Sequence, residues 1–311
     1  MLSLPTECYC MIFNNFRNNY KELLACALVN RHWCGIVMPI MWSEPKRKFR
    51  DERLIKIFLL TLNIEEQTLL IPYKMNFPTQ PKPLLEYTNF ITSITRDLYD
   101  GISFLPNLFG KHEVTADFRD AILISLIKMF LRTGKSLKSL YLEDIDCNHI
   151  NIKDTTITSV ELVLPQTVSD GFKRKTLDGL IDNLKETSTL TTLSFVSVRI
   201  GIKRMKKLIK IFYNSIVLNS LGVYSFPLGN RSGKLLATFL IKNTTLTSLH
   251  LTGKKSINSI GLRLANSLGS VGGKAIEEGL CQNITLTQLN LLSNNIDFNI
   301  RPNRPNLEIL V

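Results

Sequence analysis

The strongest constraint on how this chain can fold is a short string that recurs through its C-terminal half. Leu-x-x-Leu-x-Leu or a close variant occurs as LKSLYL at 137, LTTLSF at 190, LNSLGV at 218, LTSLHL at 246 and LTQLNL at 286, with a weaker copy, ITSVEL, at 157. The step is 28 residues from 190 to 218 and 28 again from 218 to 246. Alternation of Leu with other residues reads as a short strand with Leu facing inward. The stretch before one such strand, Leu235, Leu236, Phe239 and Leu240, has helical spacing. GKLLATFLIKNTTLTSLHL from Gly233 and GKAIEEGLCQNITLTQLNL from Gly273 align without gaps at a shift of 40. A unit this small cannot bury its apolar side alone, so such units must stack.

A period of this length carrying this string resembles the leucine-rich repeat, and the 28-residue units with a full helix resemble its ribonuclease-inhibitor type. The resemblance implies an α/β fold over residues 136–311, a solenoid of short parallel strands with outer helices. The step from 246 to 286 is 40, so KKSINSIGLRLANSLGS reads as an insertion or a shortened unit built on Leu262 and Leu264. The early units, 137 to 190, are irregular. RPNRPNLEILV begins another strand at Leu307, and a polar cap, which solenoids need, is expected but does not follow. Alternation sends Ser139, Tyr141 and Glu143 outward, then Ser159, Glu161 and Val163, then Thr192, Ser194 and Val196. The column continues through Ser220, Gly222 and Tyr224, then Ser248, His250 and Thr252, then Gln288, Asn290 and Leu292. This column reads as small, polar and nearly neutral. In repeats of this kind it is the usual binding surface, which makes Tyr141, Glu143, Glu161, Tyr224, His250 and Asn290 the candidate residues for a protein client. The aromatic members are the best anchors.

Both tryptophans fall within LVNRHWCGIVMPIMW, residues 28–42. Trp33, Ile36, Val37, Ile40 and Met41 share one helical face, Asn30 can cap its start, and Pro39 should bend its last turn. Cys8, Ile12 and Phe16 form another stripe with Phe13 beside it, and Pro5 is placed to start that helix. Leu23, Leu24, Ala27 and Leu28 form a third. Residues 4–44 thus read as three short helices. A zinc site from Cys8, Cys10, Cys26, His32 and Cys34 is disfavoured, since the spacings do not pair the ligands in close sets. About forty residues rarely bury enough surface to fold alone, so these helices need the rest of the chain or a partner.

LPTECYCMIFNNF followed by ELLACALVNRHWCGIVMPIMW resembles an F-box over residues 1–45. Leu4, Pro5, Glu7, Ile12, Phe13, Leu23, Leu28, Val29, Asn30, Arg31, Trp33 and Trp42 match the family pattern in order, while Cys8 and Cys10 stand where larger aliphatics are usual. The resemblance implies docking on a Skp-type adaptor that leads to a cullin complex. It carries over Leu4, Pro5, Glu7, Ile12, Phe13, Leu23, Leu28, Val29 and Trp33 as adaptor-binding residues. Trp33 would serve the packing of the small fold and Trp42 its exit.

Residues 46–135 read as a mostly helical connector. Leu54, Ile57, Phe58 and Leu62 share a face, FRDAILISLIKMFLRTG is helical with Gly134 as its stop, and Pro78, Pro81 and Pro83 mark a loop. His112 reads as a surface residue.

The net charge of +12 and pI near 9.4 admit nucleic acid or membrane, but the basic residues are scattered, and neither partner is expected. Six irregularly spaced cysteines and no signal-like start point to a reducing interior, cytoplasmic or nuclear. The sequons at Asn230, Asn243 and Asn283 would then stay unused. No enzyme motif appears and no cofactor is implied. SVGGK at 270–274 lacks phosphate-loop spacing and reads as a turn. KRMKKLIKIF at 203–212 reads as a repeat helix rather than a membrane-surface one. The function these features imply is a substrate-recognition adaptor of a Skp–cullin–F-box ubiquitin ligase; the rival is a repeat scaffold without a ligase link.

Overall fold

The computed structural model describes residues 4–75, 77, 86–103, 115–153, 155–214, 218–224, 229–253, 268–300 and 305–311. Pro78, Pro81, Pro83, His112, Leu262 and Leu264 lie outside them. The chain divides into two compact units, Met1–Leu140 and Tyr141–Val311.

The first unit begins with helices α1 (Thr6–Asn14), α2 (Tyr20–Ala27) and α3 (Arg31–Ser43). Short caps set their limits. Asn19 accepts from the Glu22 amide at 3.4 Å and Asn30 from the Trp33 amide at 2.8 Å, each satisfying a donor that the helix start leaves open. Pro39 lies inside α3, which continues to Ser43. The small core is Phe13, Leu23, Ala27, Ile36, Val37 and Met41, with Tyr9, Phe16 and Trp33 packed against it. Two stripes therefore differ from expectation. In α1 and the turn after it the inward row is Tyr9, Phe13 and Phe16, and Ile12 is turned out; Leu24 in α2 and Leu28 at its C-cap are exposed. Periodicity alone could not choose the inward arc where apolar residues cover more than half of the helix surface.

The three helices are not left to themselves. Trp42 stacks on Tyr87 with ring centroids 4.2 Å apart and meets Phe58 edge-on at 6.5 Å. The Thr92 amide and hydroxyl both donate to the Ser43 carbonyl at 2.8 Å, closing the end of α3. Lys48 Nζ sits over the Tyr20 ring, and burial pulls its ammonium down to about 8.

The remainder of the first unit holds α4 (Glu52–Leu60), α5 (Ile64–Thr68), strand β1 (Ser93–Ile94), α6 (Arg96–Ser103) and α7 (Ala116–Thr133). Its core includes Phe49, Phe58 and Phe130, with Phe58 and Phe130 edge-on at 4.9 Å. The inward row of α4 is Ile55, Phe58, Leu59 and Leu62, one step round from Leu54 and Ile57. Glu66 forms a capping box with Asn63 and is buried, where Arg132 answers it with contacts of 2.7 and 2.8 Å. Gly134 ends α7, its amide donating to the Phe130 carbonyl at 2.7 Å. β1 was not anticipated; a two-residue strand carries no alternation to read.

The strands run parallel in chain order. They continue as β2 (Ser139–Glu143), β3 (Ser159–Val163), β4 (Thr192–Val196), β5 (Ser220–Tyr224), β6 (Ser248–Leu251), β7 (Gln288–Asn290) and β8 (Glu308–Leu310). In the second unit the register is continuous: Ser159, Thr192, Ser220, Ser248, Gln288 and Glu308 lie in one row. Beside it runs a buried row of Val160, Leu193, Leu221, Leu249 and Leu289. Helices α8 (Asp170–Leu184), α9 (Gly201–Asn214), α10 (Asn230–Lys242) and α11 (Gly269–Gln282) fall between successive strands from β3 to β7. α9 contains KRMKKLIKIF and buries Met205, Leu208, Ile209 and Phe212, while Ile202 is exposed.

SVGGK proves to be helical, the first turns of α11 rather than a turn. Its glycines serve close packing: a Cβ on Gly233 would stand 2.8 Å from the Gly272 Cα, so α10 and α11 touch backbone to backbone there. Asn243 and Asn283 are buried at matching places after those helices. Each side-chain oxygen accepts from two amides, Thr245 and Leu246 in one case, Thr285 and Leu286 in the other. The Asn283 amide nitrogen also donates to the Leu240 and Asn243 carbonyls at 2.8 and 3.0 Å. These side chains close the helix-to-strand turns, and Asn283 also ties its turn to the one after α10, which leaves neither sequon able to accept a glycan in the folded state.

Candidate functional site

Two surfaces in different units gather the candidate residues. On the first, Phe13 and Leu23 are 2% and 1% exposed, so they build the core beneath. Trp33 is half-buried, its ring edge-on to Phe13 at 5.1 Å. Leu4, Pro5, Glu7, Ile12, Leu28 and Val29 are exposed, with Leu28 at 78% and Val29 at 60%. Met11 and Leu24, which the sequence reading did not single out as site residues, are exposed as well. The cause is geometric. The segment buries one arc of each helix, and apolar residues on the opposite arc stay in water, where large exposed apolar sets mark interaction sites.

The second surface is the outward side of the strands. The Tyr141 hydroxyl donates to Glu143 Oε2 at 2.8 Å and orients that carboxylate. Burial, with the Glu143 charge adding to it, raises the Glu161 carboxyl above its ordinary value. The Tyr224 hydroxyl is raised as well, first by burial and then by the Glu161 charge, against a hydrogen bond with Ser194 that lowers it. The Tyr224 ring stacks beside His250, centroids 6.0 Å apart, and His250 Nε2 lies 2.8 Å from the Ser248 hydroxyl. Asn290 accepts from the Leu292 amide at 3.0 Å. The structure thus links Tyr141 to Glu143 and Tyr224 to His250 directly, and Glu161 to both groups through its charge.

Three expectations for this face need correction. Gly222 keeps its outward place in register with Ser194 and His250 but is covered rather than open, because the Tyr224 ring lies across it: a Cβ there would be 2.4 Å from Tyr224 Cε2. Leu292 lies beyond the end of β7 and is outside the strand row. The face is not nearly neutral, since its only formally charged outward residues on β2 to β8 within the second unit are Glu143, Glu161 and Glu308.

Among the described residues no group of three or more His, Cys, Asp or Glu side chains could hold a metal ion, and no helix is long and apolar enough to cross a membrane. The six cysteines are free thiols; burial pushes that of Cys147 up to about 12.

The class defined so far is α/β: N-terminal helices, then parallel strands alternating with helices in an arrangement consistent with a solenoid. The F-box-like family model matches residues 1–48. No curated protein matches the chain. A segment of the F-box-like kind points in general to a role as a ubiquitin-ligase adaptor, and to binding of Skp-type adaptors within cullin complexes.

Proposed function

We propose that this protein is the substrate-recognition subunit of a Skp–cullin–F-box ubiquitin ligase, and that residues 136–311 are leucine-rich repeats that recruit a protein client. The observation that carries the reading is the F-box-like match over residues 1–48, which falls on three helices that leave Ile12, Leu28 and Val29 in water. Docking of a Skp-type adaptor there would cover apolar surface at a gain of about 25 cal/mol per Å². The repeat assignment is supported by the continuous register of β3 to β8 and by the buried leucine row. In this reading Tyr141, Tyr224 and His250 anchor the client. The chain does no bond chemistry of its own and needs no cofactor; it brings the client to an enzyme held elsewhere in the assembly. It works in the cytoplasm or nucleus, with neither nucleic acid nor membrane as a partner.

The test is titration of the full chain with a purified Skp-type adaptor, followed by capture of cullin from cell extract. Saturable binding that Ile12→Asp removes agrees with the proposal. A correctly folded chain that ignores the adaptor leaves the scaffold reading in its place.

A further inference from the structure

The strand face of the second unit and the rest of the chain have opposite charge. The protein carries a net +12, and α9 exposes Lys203, Lys206, Lys207 and Lys210. No outward position on the second unit's strands is Lys or Arg, whereas Glu143, Glu161 and Glu308 all face out.

Two further features give that surface a preference in shape. Glu161 sits half-buried on β3, and the Glu143 carboxylate is oriented by the Tyr141 hydroxyl. Tyr224 and His250 stack as a flat aromatic edge on β5 and β6. Glu161, Ser194 and Gly222 share one row, and the Tyr224 ring lies across Gly222; a carboxylate and an aromatic ring on one row suit a guanidinium or ammonium, which can pair with one and lie against the other. The backbone of the sheet is already hydrogen-bonded along its ladders, so recognition on this face must run through side chains.

We infer that the strand face takes an extended protein segment bearing Lys or Arg, with one cationic side chain seated at Glu161 beside Glu143 and the Tyr224 ring. The inference rests on the reading of this face as the client surface and adds the chemistry of the client. Glu161 is half-buried, so part of its desolvation cost is met before a cation arrives.

The experiment titrates the full chain with a labelled nonapeptide of alternating Arg and Ser, and with the same peptide carrying Glu for Arg. The Arg peptide should bind and the Glu peptide should not. Glu143→Gln with Glu161→Gln, which keeps shape and removes charge, should weaken the Arg peptide by about tenfold or more, while Asp182→Asn with Glu186→Gln on the helix side should leave it unchanged. Affinity of the unaltered protein should fall steeply as salt shortens the screening length below about 10 Å, a readout that does not depend on any variant folding. Equal binding of both peptides, or no effect of the Gln pair and of salt, overturns the inference. Salt-sensitive self-association abolished by the same Gln pair also overturns it, since the occupant would then be the Lys-rich face of α9 from a second copy. A photo-crosslinker placed at Ser194 separates the two levels of the reading. Clients crosslinked there through segments without Lys or Arg leave the client surface standing and sink the cationic preference. Clients captured only through other surfaces sink the client surface itself.

Discussion

The helical face of the first unit and the strand face of the second are both exposed, for opposite reasons. On α1, α2 and the turn after α2 the exposed residues include Ile12, Leu24, Leu28 and Val29, apolar groups that a small three-helix core cannot enclose. On β2 to β6 the outward residues, apart from the small, covered Gly222, are half-buried and, Val163 and Val196 excepted, polar or aromatic, because alternation sends every second side chain away from the leucine row. The first surface is exposed at a cost in free energy and gains from being covered. The second is solvated and gains only from a partner of matching chemistry. A buried interface and a selective one are therefore built from different residue types in the same chain, and substitutions should separate them.

The largest separation is expected from Ile12→Asp combined with Leu28→Asp. Both side chains are exposed, so folding should hold, yet adaptor affinity should drop by about a hundredfold or more, since each change buries a charge on binding. Calorimetric titration measures it, and Tyr224→Ala with His250→Ala should leave that affinity intact while lowering client affinity by about 1–3 kcal/mol. Retention of adaptor binding by the Asp pair would break the assignment of the helical face.

Phe13→Ala provides the contrast within one helix. Its ring is enclosed by the small core and meets Trp33, so the loss should be about 3–5 kcal/mol of stability, read as a shift in the urea midpoint of the first unit. Adaptor binding would then fail through unfolding, which the circular dichroism of the Ile12 variant should not show.

Arg132→Met leaves the Glu66 carboxylate buried without its partner. A destabilisation of about 3 kcal/mol is expected, reduced insofar as Arg132 is itself partly in water. Double substitution with Glu66→Gln should recover part of it.

Gly222→Ala acts on the strand face alone. The new methyl displaces the Tyr224 ring, at about 1–2 kcal/mol by overpacking, and should lower client affinity with adaptor affinity unchanged. Near-ultraviolet circular dichroism and the two titrations report it together.

The smallest effect concerns pH. Glu161 has a folded-state pKa above its unfolded value, through burial and then Glu143. The native state therefore holds that proton more tightly, and the associated stability is present below the unfolded pKa and lost as pH rises through the folded one. Replacing it with Gln should raise the neutral-pH urea midpoint slightly, with the gain shrinking toward pH about 4. Tyr224 and Glu143 are the charged or titratable groups whose influence the variant would also relax.

How much of this was legible beforehand follows from pattern length. Five strings of Leu-x-x-Leu-x-Leu marked β2, β4, β5, β6 and β7, because repetition multiplies a weak signal. Asn30 and Gly134 announced the start of α3 and the end of α7 through backbone chemistry local to each site. The inward arcs of α1, α2 and α4 differ in part from what periodicity predicts, since several apolar arcs compete on one short helix and only the neighbour settles which is covered.

The sequence by itself determined that strands and helices alternate in the C-terminal half, that Leu lines one side of each strand, and that three short helices open the chain, the third capped by Asn30. These follow from periodicity and from side chains that bond their own backbone. Tertiary structure alone decided that Phe13 goes in and Ile12 out, that Tyr224 folds over Gly222, that Asn243 and Asn283 are sealed at their helix-to-strand turns, and that Glu66 waits on Arg132 sixty-six residues away. Each of those outcomes depends on which surface arrives opposite a residue, and no local pattern encodes what lies across a gap in the chain.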